Sequence, residues 1–176
     1  MMRNILVVID MQKDFIDGAL GTKEAQEIVG RVVEKIHAYP AGNIYATRDT
    51  HQENYLETAE GKHLPIRHCI EGTEGWELHP DVAKALGEAV IVNKPSFGSV
   101  VLADLLEEEN AVEELEIEMV GLCTDICVVS NALLLKAVMP ETTISVDASC
   151  CAGVTPESHQ AALLTMEMCQ IEITGR

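Results

Sequence analysis

The sequence predicts an α/β fold, with a mainly parallel sheet of six strands between two helical layers. Six short apolar runs carry the strand pattern. Stretches of helical periodicity separate them, and a strand–helix alternation of this kind closes into a parallel sheet covered on both faces. At 176 residues, the chain is sized for a single domain over 1–176.

Residues 4–10 form a near-continuous apolar run, as expected of a strand buried on both sides. A helix over 23–38 places Ala25, Ile28, Val29, Val32, Val33 and Ile36 on one stripe, and Tyr39-Pro40-Ala41-Gly42 ends it. A second strand is expected over 43–49. The stretch 50–80 has little periodicity and holds four of the six histidines, which marks it as a functional loop and the expected metal-binding segment. A short helix over 81–86 and a third strand over 89–93 follow. Next come a helix over 99–108 and a fourth strand over 116–121, the acidic stretch 107–118 reading as a solvated helix end and loop. An apolar helix over 124–137, a strand over 142–147, a helix over 156–168 and a strand over 170–174 complete the chain.

Composition narrows the partners. With 47% hydrophobic and 23% charged residues the chain is of ordinary globular make-up. Its net charge of −17, from 29 acidic and 12 basic residues, repels phosphate backbones and anionic membranes. No apolar run approaches the ~20 residues of a membrane span, and nothing near the start reads as a cleavable signal. The expectation is a cytoplasmic protein whose six cysteines are free thiols.

In a parallel sheet the ligand crevice lies beyond the carboxyl ends of the strands. Asp10, Asp49 and Lys94 stand at the ends of the first three strands, and the fourth runs from Gly121 into Leu122-Cys123-Thr124-Asp125-Ile126-Cys127. A charge at one strand end often just meets water; an acid, a lysine and a cysteine at the same edge form a reactive set. Cys127 falls in the first turn of a helix, where the dipole, together with Lys94, favours a thiolate. Asp10 is placed to take the thiol proton, and backbone amides of the turn to hold an oxyanion. Cys150, Cys151 and Cys169 read as small buried hydrophobes.

Asp49-Thr50-His51 comes straight off a strand, with Glu60, His63 and His68 further along the loop. Two imidazoles with one or two carboxylates suit Zn, Mn or Fe(II). His37, His79 and His159 read as surface residues. Phe15 and Phe97, the two phenylalanines, lie beside the reactive positions and suit the walls of a flat apolar substrate pocket. The acids after two strands and the Lys94-Pro95 pair also faintly echo phospho-acceptor receiver domains, which would leave Cys127 and the histidines without a role.

Four segments in order resemble the isochorismatase-like cysteine hydrolases, and within them the nicotinamidases. These are Asp10-Met11-Gln12-Lys13-Asp14-Phe15, Asp49-Thr50-His51 with His68-Cys69, Lys94-Pro95-Ser96-Phe97, and Gly121-Leu122-Cys123-Thr124-Asp125-Ile126-Cys127-Val128. The resemblance implies the Rossmann-like α/β/α fold of that family, a catalytic triad of Asp10, Lys94 and Cys127, and an oxyanion hole from the N–H groups of Cys123 and Cys127. It implies a cis peptide at Leu122–Cys123 and a homo-oligomer. It further implies a divalent metal, zinc first, held by Asp49, His51 and His68, with Glu60 as a fourth ligand and His63 as its less well-aligned rival. In nicotinamidases this metal holds the pyridine nitrogen. A pocket of Phe15, Leu20 and Phe97 would then enclose a small amide. The chain departs from that pattern just before His68. An aromatic residue that stacks on the ring is common there, and this sequence has Leu64-Pro65-Ile66-Arg67.

Overall fold

In a computed structural model, which describes residues 2–176, six strands form one sheet whose pairings are all parallel. They are β1 (Arg3–Ile9), β2 (Ile44–Asp49), β3 (Val90–Lys94), β4 (Leu115–Leu122), β5 (Thr143–Ala152) and β6 (Glu172–Thr174), in the spatial order β3-β2-β1-β4-β5-β6. The helices are α1 (Lys13–Ile16), α2 (Lys23–His37), α3 (Ala59–His63), α4 (Pro80–Leu86), α5 (Val100–Val112), α6 (Val129–Val138) and α7 (Pro156–Met168). Among the described residues, no helix is long and apolar enough to cross a membrane.

The alternation within β1 builds both layers. Ile5, Val7 and Ile9 point to one face, where they share a core with Leu102 and Leu106 of α5, Leu135 of α6 and Leu163 of α7. Leu6 and Val8 point to the other, against Ile28, Val32 and Ile36 of α2 and Val82 and Leu86 of α4. These five side chains are completely buried, and each contributes roughly 1.5–3 kcal/mol through removal from water. The strand order reverses between β1 and β4, and a crevice opens at the carboxyl end of that junction. Ile9 pairs with Gly121 there. Gly121 has φ +119°, and a Cβ on it would stand 2.1 Å from the Ile9 carbonyl oxygen, so only glycine lets the two strand ends run this close.

Most expected boundaries shift by a residue or two, and several differences matter. The loop over 50–80 contains a 3₁₀ turn at Tyr55–Glu57, the short helix α3 and a second 3₁₀ turn at Glu74–Trp76. Turns this short fall below the span over which periodicity is visible. Helix α5 continues through Val112, and the acidic stretch is more than a solvated edge. Glu109 takes hydrogen bonds from Arg3 (2.7 Å) and the Tyr45 hydroxyl, and Glu118 binds Lys35 (3.0 Å) and Tyr39 (2.8 Å). Strand β5 runs five residues past the expected end, through a register shift against β4, and takes in Cys150 and Cys151. Those two cysteines are buried, as expected; Cys169 is not, because it caps the C-terminus of α7 and is exposed. All six are free thiols.

Candidate active site

The sheet delivers its chemistry to one edge. Asp49 and Lys94 are register partners on neighbouring strands, and Asp10 follows directly on β1 with φ +46°. Lys94 is fully buried, as is Asp10. The Lys94 Nζ lies 2.7 Å from Asp10 Oδ2, 3.3 Å from Asp49 Oδ1 and 3.3 Å from Cys127 Sγ, and it donates to the Ser96 carbonyl at 3.0 Å. The Thr47 hydroxyl donates to Asp10 Oδ1 at 2.6 Å. Asp10 Oδ2 touches the ammonium without hydrogen-bond alignment, so it keeps an acceptor position open.

Burial would lower the Lys94 pKa, but Asp10, Cys127 and Asp49 outweigh it and hold the ammonium charged far above its ordinary range. Burial raises the Asp10 carboxyl against the pull of Lys94. The enclosure works against the thiolate expected at Cys127. Burial and the Asp10 charge push its thiol well above the ordinary value, Lys94 opposing them. Asp10, whose carboxylate shares the Lys94 ammonium with the sulfur, is placed to receive the thiol proton. Cys123, the other thiol facing the cavity, is pushed up to about 12 by burial and Asp125.

Cys127 reaches this position through a wide turn. The expected helix over 124–137 begins instead with a π-helical turn, Thr124–Val128, before α6 proper. The Cys123 carbonyl accepts from both Ile126 and Val128 amides at 3.1 Å, and the Leu122–Cys123 peptide is cis.

Beside the lysine lies a four-donor cluster of Asp49, His51, Glu60 and His68, whose ligand atoms all fall within 4.8 Å of one another. His51 Nε2 is 3.0 Å from Asp49 Oδ2 and 3.5 Å from Glu60 Oε1. His68 Nε2 is 3.7 and 3.6 Å from the same oxygens. The long loop converges because His51 and Ile70 form a parallel bridge, with the His51 amide donating to Cys69 and its carbonyl accepting from Glu71. Thr58 caps α3, accepting from the Gly61 amide at 3.0 Å, and so aims Glu60 inward. His68 Nδ1 bonds the Ile66 carbonyl at 2.8 Å, leaving Nε2 turned to the cluster. His51 Nε2 is buried with no aligned hydrogen-bond partner. An orphaned ring nitrogen facing a second imidazole and two carboxylates fits one divalent cation with ~2.0–2.2 Å bonds. His63 stays outside: it is exposed, and its Nδ1 sits on the Ala59 carbonyl at 2.9 Å.

Cys127 and the cluster open into one cavity of about 890 Å³, lined by Phe15, Leu20, Leu64, Phe97, Ile126 and Val154 around Asp49, His51 and His68. Residues 4–176 match the Isochorismatase domain. The chain belongs to the isochorismatase family. It is 25% identical over 183 residues, 96% of both chains, to the nicotinamidase/pyrazinamidase of Mycobacterium tuberculosis. Among solved structures it is similar to the Pyrococcus horikoshii pyrazinamidase in complex with zinc (29% identity, 99% of each chain, TM-score 0.81). It is also similar to the Bacillus subtilis nicotinamidase/pyrazinamidase (25% identity, 98% of this chain and 100% of that one, TM-score 0.82). Membership of the isochorismatase family leaves the receiver-domain echo without support.

Within this family framework the structure adds residues that the sequence reading passed over. Gln12, completely buried, donates to the Asp49 and Trp76 carbonyls at 2.8 Å and accepts from the Asp49 amide at 2.7 Å. Asn131 donates to the Cys127 carbonyl at 2.8 Å and to the Phe97 carbonyl at 3.0 Å, and accepts from Ser99 at 2.9 Å. Tyr55 is completely buried behind the cluster, its ring 4.7 Å from His51 and 5.0 Å from His68, and it backs the two imidazoles without lining the cavity. Gln12 was visible inside the first motif, but nothing local announced its partner 37 residues away. Trp76 instead carries Arg48 on its face, 3.7 Å from the ring centre. Of the other histidines, His37 is exposed, His79 caps α4, and His159 is a correction: it is half-buried and bonded to Thr124 at 2.7 Å.

Proposed function

We propose that this amidohydrolase converts nicotinamide to nicotinate and ammonia through a thioester on Cys127, in the cytoplasm and in service of pyridine-nucleotide salvage. The observation that carries the reading is the meeting of Lys94 with Asp10, Cys127 and Asp49, which joins a nucleophile and its base to a metal-binding cluster within one cavity. The cavity wall includes no lysine or arginine, which favours an uncharged substrate over a carboxylate.

Asp10 Oδ2 takes the Cys127 proton as the sulfur attacks the carboxamide carbon. The oxyanion so formed is met by the amides of Cys123 and Cys127. Asp10 passes its proton to the amide nitrogen, the C–N bond breaks and ammonia leaves. Water then attacks the thioester while Asp10 accepts its proton; the C–S bond breaks, and the proton returns to sulfur as the acid departs. Lys94 keeps its charge throughout and holds both carboxylates in place. A divalent cation, zinc first by its donor set, would be held by Asp49, His51, Glu60 and His68 and would supply a Lewis acid for the ring nitrogen.

The segment Leu64-Pro65-Ile66-Arg67 has no aromatic residue, which favours, as a second reading, another small uncharged amide or ureido substrate at the same centre. Ammonia release from nicotinamide, pyrazinamide and aliphatic amides, with and without chelator, separates the two. Chelator-sensitive turnover of nicotinamide well above the aliphatic amides is expected; faster turnover of an aliphatic amide would overturn nicotinamide as the substrate.

A further inference from the structure

His159 lies outside the proposed chemistry, yet it is a half-buried titratable side chain tied to the turn that carries the nucleophile. Its Nδ1 and the Thr124 hydroxyl share a hydrogen bond of 2.7 Å, and Thr124 is completely buried. One residue further along the turn, both Asp125 carboxylate oxygens accept from the Val154 amide at 3.2 Å. The loop after β5 and the first turn of α7 thus grip the Cys123–Cys127 turn at two successive residues.

The grip is built into α7. Thr155 caps the helix in a reciprocal pair with Ser158, which sets His159 on the first turn. Gly153 closes the approach: a Cβ there would meet His159 Cβ and backbone at 2.9 Å. The far end of the same turn is held separately, by Asn131 on the Cys127 carbonyl. Burial lowers the His159 pKa and favours the neutral ring, whose Nδ1 can serve as the partner of a hydroxyl.

We infer that His159 is a positioning residue for hydrolysis, holding through Thr124 the near end of the turn that presents the Cys127 sulfur and the Cys123 and Cys127 amides. The inference rests on the hydrolytic reading above. Oxyanion donors and nucleophile must be held to within a fraction of an ångström, and a misplacement of ~1 Å costs up to about 100-fold in rate.

The test compares His159→Leu, His159→Asn, Thr124→Val and the double variant Thr124→Val/His159→Leu. With the amide the parent hydrolyses best, His159→Leu is expected to lose about 10-fold or more in kcat with little change in KM. Asn, which returns a polar group near the place of Nδ1, is expected to recover most of it. The double variant should be no worse than Thr124→Val alone, since both changes break one contact. A second readout needs no substrate: the rate of Cys127 alkylation by iodoacetamide, mapped by mass spectrometry, should shift several-fold in His159→Leu and return in His159→Asn.

Parent values of both kcat and alkylation rate in folded His159→Leu would overturn the inference, as would additive losses in the double variant. A fall in thermal stability with kcat preserved would reduce His159 to packing and overturn it too. Should His159→Leu fail to fold, Thr124→Val and His159→Asn carry the comparison. A parent that releases ammonia from no amide would sink the hydrolytic reading by itself, and the alkylation rates would still decide the role of His159.

Discussion

Lys94 Nζ stands 3.3 Å from Asp49 Oδ1, and this contact joins the two halves of the site. Asp49 turns its other oxygen, Oδ2, to His51 and His68, while the same ammonium reaches Asp10 and Cys127. The Asp49 carboxyl is pushed up by burial, but the neighbouring His51 ring and the Lys94 charge prevail and hold it below the usual carboxylate range. A single buried cation thus holds the carboxylates of both Asp10 and Asp49.

Replacing Lys94 by Met should therefore be damaging twice over. Breaking a buried ion pair from one side costs about 3–5 kcal/mol, here with two carboxylates left facing each other. Urea denaturation should show a loss in that range, and ammonia release should be abolished. A Lys94→Met protein as stable as the parent would refute the role given to the ammonium.

Cys127→Ala should lower amide turnover by on the order of 1000-fold or more while leaving metal content unchanged, since the sulfur is outside the four-donor cluster. Ammonia release and elemental analysis on the same sample check both halves. Retained activity would remove Cys127 as nucleophile.

Metal binding to the native cluster stabilises the fold by mass action, about 2.7 kcal/mol at a free metal concentration of about 100 times Kd. Chelation should lower Tm and added zinc restore it in the parent. In His51→Ala and His68→Ala neither treatment should move Tm.

Gln12→Ala strips buried partners from the Asp49 amide and carbonyl and from the Trp76 carbonyl. Each orphaned group costs about 1–3 kcal/mol, so a loss of about 3 kcal/mol or more in urea is expected, with weaker metal affinity. A neutral result would mean the Asp49 backbone is held by the strand alone.

Lys35 links β4 and β5 through Glu118 at 3.0 Å and Asp147 at 2.7 Å. Burial raises the Asp147 carboxyl, but Lys35 and Ser149 outweigh it and hold it below its ordinary value. A depressed carboxyl gives stability that is present above the unfolded pKa near 4 and lost as pH falls through the folded value. Between about pH 5 and pH 2 the parent should lose more stability than Asp147→Asn, whose profile should be flatter. Identical slopes would show that the pair is silent.

Much of this protein is determined by its sequence alone, because the signals involved are local. Apolar runs and helical stripes mark the strands and their crossovers. Parallel strands must all present their carboxyl ends on one side, so Asp10, Asp49, Lys94 and the Cys123–Cys127 turn belong to one edge before any coordinate is known. The partners of Gln12, Tyr55, Asn131 and His159 lie on other elements or farther along the chain, and which side chain meets which depends on strand order and loop path. Only the tertiary structure decided these, along with the place of Glu60 rather than His63 beside the two histidines. It also added burial to the reading of Cys127. A helix start and a lysine argue locally for a lowered thiol pKa, but desolvation belongs to the finished enclosure, and there burial and the Asp10 charge push the thiol upward against Lys94.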